Sequence, residues 1–140
     1  MDVGAEFAVE LGRVSRRWRT RMNERVKHMG LNQARWMVLL QLSSFGPASQ
    51  RELAERVGVE GPSLVRVLDR LEEQGLVERR AVGDDRRVKR IHLTAAAEPV
   101  LQQITEVSTE LRQELLADIP PESIDVAWRV LKAIGDRLER

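Results

Sequence analysis

A chain of 140 residues can form one domain with a substantial core. Its composition, with 42% apolar and 4% aromatic residues, predicts a folded, helix-rich protein. The absence of cysteine excludes disulfides, thiolate metal sites and cysteine nucleophiles. The net charge of +1 divides into +4, +1 and −4 over residues 1–46, 47–93 and 94–140. This charge gradient predicts a polyanionic partner that binds one side of the molecule. The alternative is an accidental drift in the distribution of solvated charges.

The sequence contains neither a membrane span nor a recognisable secretory signal. No run approaches the roughly 18 apolar residues that a span requires. The first residues are acidic and amphipathic, whereas a signal begins with basic residues and an apolar block. We expect a cytoplasmic protein with no membrane partner.

Two helices are predicted before residue 46. Apolar residues at spacings of three and four indicate a first helix that runs to about Met29 and stops at Gly30. Asn32 is a predicted N-cap, flanked by the apolar pair Leu31 and Trp36, and it opens a second helix from Gln33 to about Phe45.

A helix-turn-helix follows. Ser49 and Glu52 form a predicted capping box that starts a short helix at Gln50, and Gly58 ends that helix. After about three residues a fourth helix begins with Pro62 in its first turn and continues to Gly75.

Alternating apolar residues then predict a β-hairpin whose turn is Gly83-Asp84-Asp85. Thr94 is the predicted N-cap of a long helix that ends before Pro120. Pro99 should either kink this helix or indicate that it begins after Thr94. A last helix completes a mainly α fold with a small β-hairpin wing, which is the order of a winged helix-turn-helix.

The fourth helix carries the candidate reading residues. Its leucines at 64, 68 and 71 define the buried face, so the opposite side can enter a DNA major groove. Arg66 is the preferred base contact, because a guanidinium can bond both N7 and O6 of guanine. The alternative is a solvated face in which Asp69 and Glu73 pair with the arginines. The predicted major-groove set is Pro62, Ser63, Arg66 and Arg70, with Arg70 favoured for phosphate contact.

The hairpin is strongly basic, with six basic and two acidic residues between positions 79 and 90. Arginines at its tip suit the negative potential of a narrow A·T minor groove. Asp85 can orient Arg87 through a charge-assisted hydrogen bond, so Arg87 is favoured slightly over Arg86 as the inserted residue. The alternative is a polar turn without a partner.

Two runs of sequence closely resemble the MarR family of bacterial regulators and, within it, SlyA. The runs are Leu64 to Leu76, LVRVLDRLEEQGL, and Asp85 to Thr94, DRRVKRIHLT. The resemblance extends from near residue 13 to residue 99, and the C-terminus matches only in pattern. It implies a dimer, Arg66 in the major groove, a wing arginine in the minor groove, and the family's Asp-x-Arg pair at Asp85 and Arg87.

We expect a single MarR-type domain over residues 1–140, with dimerisation helices at 1–30 and 95–140 and a DNA-binding lobe at 31–94. Two recognition helices in a two-fold dimer would specify a pseudo-palindrome. The alternative is that these flanking helices only complete the core of one monomer. The predicted dimer surface comprises Phe7, Leu11, Leu111, Leu115, Ile124, Trp128, Leu131 and Leu138.

The family resemblance also implies a small aromatic carboxylate, such as salicylate, as a ligand. The predicted contacts are Arg13 and Arg17 for the carboxylate and Trp18 and Trp36 for the ring, although both tryptophans also suit an ordinary core. The two histidines are far apart in sequence, and no phosphate loop or nucleophile pattern occurs. We expect no metal, no cofactor and no enzymatic activity.

These features predict a sequence-specific transcriptional regulator that binds double-stranded DNA as a homodimer and is released by its ligand. One alternative is an architectural or anti-silencing protein that binds DNA with little sequence preference. The other is a winged-helix module that binds an acidic protein.

Overall fold

A computed structural model describes residues 2–139 of the chain. In chain order, the described elements are α1 (Val3–Val26) with a 3₁₀ turn (Lys27–Met29), α2 (Gln33–Phe45), α3 (Gln50–Val57), α4 (Gly61–Glu73), β1 (Val77–Val82), β2 (Asp85–Leu93), α5 (Ala97–Leu115) and α6 (Pro121–Leu138). The predicted fold class, a mainly helical chain with an antiparallel hairpin, is confirmed.

The predicted ends of the first two helices are also confirmed. The last turn before Gly30 is 3₁₀, and Gly30 has the positive φ of 71° that a left-handed C-cap requires. The Asn32 side chain accepts a hydrogen bond from the Arg35 amide at 3.0 Å, which caps α2.

The capping box at the start of α3 is present in both directions. The Glu52 amide donates to Ser49 Oγ and the Ser49 amide donates to Glu52 Oε1, each at 3.1 Å. The hydrogen bond from the Ser49 backbone is the main cause that lowers the pKa of Glu52. This cap fixes the start of the helix-turn-helix.

The hairpin is less regular than the sequence suggested. Ala81 pairs with Lys89 but Val82 pairs with Asp85, so Arg86, Arg87 and Val88 have no pairing partner on β1. Gly83 and Asp84 form the turn, and Asp85 already belongs to β2. The wing arginines therefore lie in an irregular, unpaired part of β2 directly after the turn.

Thr94 is not the N-cap of α5, which corrects the prediction. Its hydroxyl donates instead to the Gly75 carbonyl at 2.5 Å and joins the end of the hairpin to the end of α4. Because α5 begins at Ala97, Pro99 lies in the first helical turn, where its missing N–H costs no helical hydrogen bond.

The chain divides into two compact units, one up to Ser108 and one from Thr109, with the boundary inside α5. The core of the first unit consists of fully buried side chains from α2, α3, α4 and β2, among them Leu39, Leu53, Leu64, Leu68, Leu71 and Ile91. This core holds α4 by its leucine face, so the opposite face is free for a partner. The functional division at residues 30 and 94 remains a prediction.

Candidate nucleic-acid interface

The face of α4 opposite its buried leucines presents the predicted major-groove residues. Pro62, Arg66 and Arg70 are exposed and Ser63 is half-buried. Among residues 2–139, Arg66 has no hydrogen bond or ion pair. Its guanidinium is therefore available for a ligand.

Arg70 differs from Arg66 because it is already paired. Arg70 Nη1 lies 3.3 Å from Glu73 Oε2, one helical turn away, with both side chains more than half exposed. An exposed pair of this kind contributes little to stability and exchanges easily for another anion. Arg70 can therefore contact phosphate without a large penalty.

Arg79 fastens the wing to α4, and sequence reasoning did not identify it. Its two terminal nitrogens donate to Asp69 Oδ1 at 2.8 Å and to Glu72 Oε1 at 2.9 Å, and its side chain is only 19% exposed. The sequence shows that Asp69 and Glu72 lie one turn apart on α4 and can share a basic partner. It does not show that this partner is Arg79 on β1, because only the tertiary fold brings the strand to the helix. Asp69 is thereby used by the wing, so it does not neutralise Arg66.

At the tip of the wing, the predicted bond between Asp85 and Arg87 is present. Asp85 Oδ1 accepts from the Arg87 backbone amide at 3.0 Å and from Arg87 Nε at 3.3 Å. The Arg87 side chain is nevertheless 92% exposed. Arg86 is also exposed but has no such partner among residues 2–139. The geometry thus orients Arg87 while leaving it accessible.

A basic depression lies between the first turn of α2 and α4, and we call it the α2–α4 depression. It has a volume of about 210 Å³ and is lined by Asn32, Arg35, Arg66, Val67 and Arg70. This cluster was not predictable from the sequence, because Arg35 is about 30 positions away from the two α4 arginines along the chain. The tertiary fold places these three arginines around one depression.

Most of the predicted dimer surface is exposed in the single chain. Phe7 and Leu11 on α1 and Leu115 at the end of α5 are more than a third exposed, and so are the α6 residues Trp128, Leu131 and Leu138. Ile124 is half-buried. Leu111 was wrongly predicted, because its side chain is fully buried in one chain and has no surface left for a partner.

The four predicted ligand residues do not all present free groups. The Arg13 guanidinium donates to Glu10 on the same helix at 2.8 Å, and this bond raises the pKa of Arg13. Trp36 is buried in the core with its indole N–H bonded to Asn23 Oδ1 at 2.6 Å. Trp18 is half-buried and Arg17 is exposed.

Two further structural findings concern other classes of site. Among residues 2–139, no cluster of three or more acidic or histidine side chains is arranged to hold a metal ion. None of the helices in that part of the chain is sufficiently long and apolar to cross a membrane.

Comparison with known proteins shows the family. The MarR family model matches residues 29–88. The chain is similar to the solved transcriptional regulator PA3341, with 44% identity over 95% of this chain and 98% of that chain, at a TM-score of 0.88. It is also similar to BldR from Sulfolobus solfataricus, with 26% identity over 98% and 99% of the two chains and a TM-score of 0.85.

A MarR-family regulator from Silicibacter pomeroyi is 25% identical over 89% of this chain and 84% of its own, at a TM-score of 0.79. The chain therefore belongs to the MarR family of transcriptional regulators. This is a family of regulators rather than of enzymes.

Proposed function

We propose that this protein is a sequence-specific regulator that binds pseudo-palindromic operators in double-stranded DNA as a homodimer. The observation that carries the proposal is the unpartnered Arg66 on the exposed face of α4. A fixed helix that presents a free guanidinium suits bidentate contact with guanine in a major groove. The oriented Arg87 adds a second contact suited to an A·T minor groove.

The proposed dimer is supported by exposed apolar side chains on the terminal helices. Trp128 on α6 is 60% exposed, which is costly for a large aromatic side chain in water. A two-fold partner that covers such side chains would also supply the second recognition helix that a pseudo-palindrome requires. We also propose a relationship to SlyA within the family, on the basis of the residues from Asp85 to Thr94.

The DNA-binding proposal is tested by selection of binding sites from random duplexes. The selected duplex and a scrambled one are then titrated by fluorescence anisotropy at several salt concentrations. A regulator should bind the selected site at least about 10³-fold more tightly than the scrambled one. A ratio near one with steep salt dependence would instead indicate architectural binding, and a selection that enriches no duplex would favour an acidic protein partner.

We further propose that a small aromatic carboxylate such as salicylate weakens DNA binding. Arg17 is the predicted residue best suited to the carboxylate, because Glu10 already neutralises Arg13. Trp18 is half-buried on the same helix and can pack one ring face against the aromatic ligand. Trp36 is buried, so it is less accessible to a ligand than Trp18. Calorimetry with salicylate should show binding that Arg17→Ala reduces, and the absence of heat and of any change in DNA affinity would contradict the proposal.

A further inference from the structure

The α2–α4 depression concentrates positive charge on a concave surface. Three of its five lining side chains are arginines and none is acidic. A concave surface lined by one sign of charge strengthens the local potential and attracts counter-ions. The depression therefore suits an anion.

The arginines of this depression are poorly compensated within the chain. Arg70 has the exposed partner Glu73, but the side chains of Arg35 and Arg66 have no hydrogen bond or ion pair among residues 2–139. Arg35 is half-buried as a residue, and no carboxylate among residues 2–139 pairs with its side chain. An anion in the depression would therefore meet two guanidinium groups that no carboxylate of the chain neutralises.

The backbone of Arg35 is fixed at the start of α2. Its backbone amide donates to the Asn32 cap at 3.0 Å, and the adjacent Trp36 is buried with its indole bonded to Asn23. The side chain therefore extends from a fixed helical turn rather than from a loop.

We propose that the α2–α4 depression binds one phosphate of the DNA backbone, with Arg35 as the principal contact and Arg70 as the second. The proposal rests on the proposed function, because it requires α4 to enter a major groove, which phosphates flank. A guanidinium forms charge-assisted and often bidentate hydrogen bonds with phosphate oxygens. Phosphate contacts fix the register of a protein on DNA, so this one positions the neighbouring Arg66 on its base.

The first test measures the salt dependence of operator binding for wild type and Arg35→Ala. The dimer loses both Arg35 contacts in the variant and keeps only the Arg70 contacts, so the slope of log K against log salt should become shallower, by at most about 1.8. The order of preference among operator sequences should stay the same, because a phosphate carries no base information. Arg35→Lys keeps the charge and should keep most of the slope.

Arg129→Ala is the matched control. It removes the same charge from an exposed arginine on α6 whose partner is Asp125, outside the proposed DNA surface. Its slope should equal that of wild type, with the dimer verified by light scattering. Circular dichroism should show the same helix content for all variants. A wild-type slope for Arg35→Ala would overturn the proposal.

The second test identifies the phosphate directly. Neutral methylphosphonate linkages are placed one at a time around each half-site. One linkage per half-site should weaken wild-type binding by about 10-fold or more, and it should weaken Arg35→Ala clearly less, because that variant keeps only the Arg70 contact to the same phosphate. Identical linkage profiles for the two proteins would overturn the phosphate site.

The tests separate the two proposals. If wild type shows no preference for the selected operator, the proposed function itself fails. If wild type is specific and Arg66→Ala relaxes that specificity, while Arg35→Ala retains the wild-type slope, only the phosphate site fails.

Discussion

Arg66 is the residue on which base preference should depend. Replacement by alanine should cost about 1–3 kcal/mol on the selected operator and should relax preference at one base pair in each half-site. Anisotropy titrations against single-base operator variants measure both effects. Arg51→Ala is the control, because Arg51 on α3 is 92% exposed and pairs only with Glu55 among residues 2–139. Equal weakening on all sequences by Arg66→Ala would contradict base contact.

The wing tip offers a comparison between two adjacent arginines. Because Asp85 orients Arg87, Arg87→Ala should weaken operator binding more than Arg86→Ala, and it should reduce the preference for A·T pairs beside the major-groove site. Titration of operators with A·T or G·C flanks measures this. A larger loss for Arg86→Ala would assign the minor-groove contact to the other arginine.

At the scale of elements, the position of the wing depends on Arg79. Arg79→Met keeps much of the aliphatic stem but loses both ion pairs to α4, so the free energy of unfolding should fall by about 1 kcal/mol. Amide exchange in β1 should become faster, because Arg79 no longer fixes the strand to the helix. Urea denaturation and hydrogen exchange measure the two effects. Unchanged exchange in β1 would show that the core alone holds the wing.

The cap of α3 predicts a pH dependence. Because the folded state holds the pKa of Glu52 below its unfolded value, the ionised carboxylate stabilises the fold above the unfolded pKa. This contribution disappears as pH falls through the folded pKa. Wild type should therefore lose more stability than Glu52→Gln between neutral pH and about pH 3, since glutamine keeps the acceptor without titrating. Parallel unfolding curves over that range would contradict the linkage.

The sequence was sufficient for elements that depend on local interactions. The caps at Asn32 and Ser49 and the end at Gly58 lie where composition and spacing predicted them. Contacts between distant segments were not predictable in this way. Thr94 bonds the Gly75 carbonyl instead of capping α5, and Ala48 forms a backbone bridge with Ile91. Such pairings depend on how helices and strands pack, which periodicity does not encode.

The same distinction applies to the candidate site. Arg66 and the Asp85–Arg87 pair follow from a helical face and a two-residue spacing, so they were predictable. Arg79 and Arg35 join elements that only the tertiary fold brings together. Leu111 was misassigned because an apolar stripe on a helix looks the same in the sequence whether its own chain or a second chain covers it.

For the whole molecule, the central claim is that two chains bind one operator symmetrically. The decisive measurement is the mass of the operator complex together with its footprint. Wild type should bind as two chains per site and protect two half-sites about 34–36 Å apart, centred on a pseudo-dyad. Trp128→Glu should weaken the dimer and this symmetric protection, while Phe45→Glu, which alters an exposed aromatic residue on α2, should not. One wild-type chain per site, or uniform protection without a dyad, would contradict the claim.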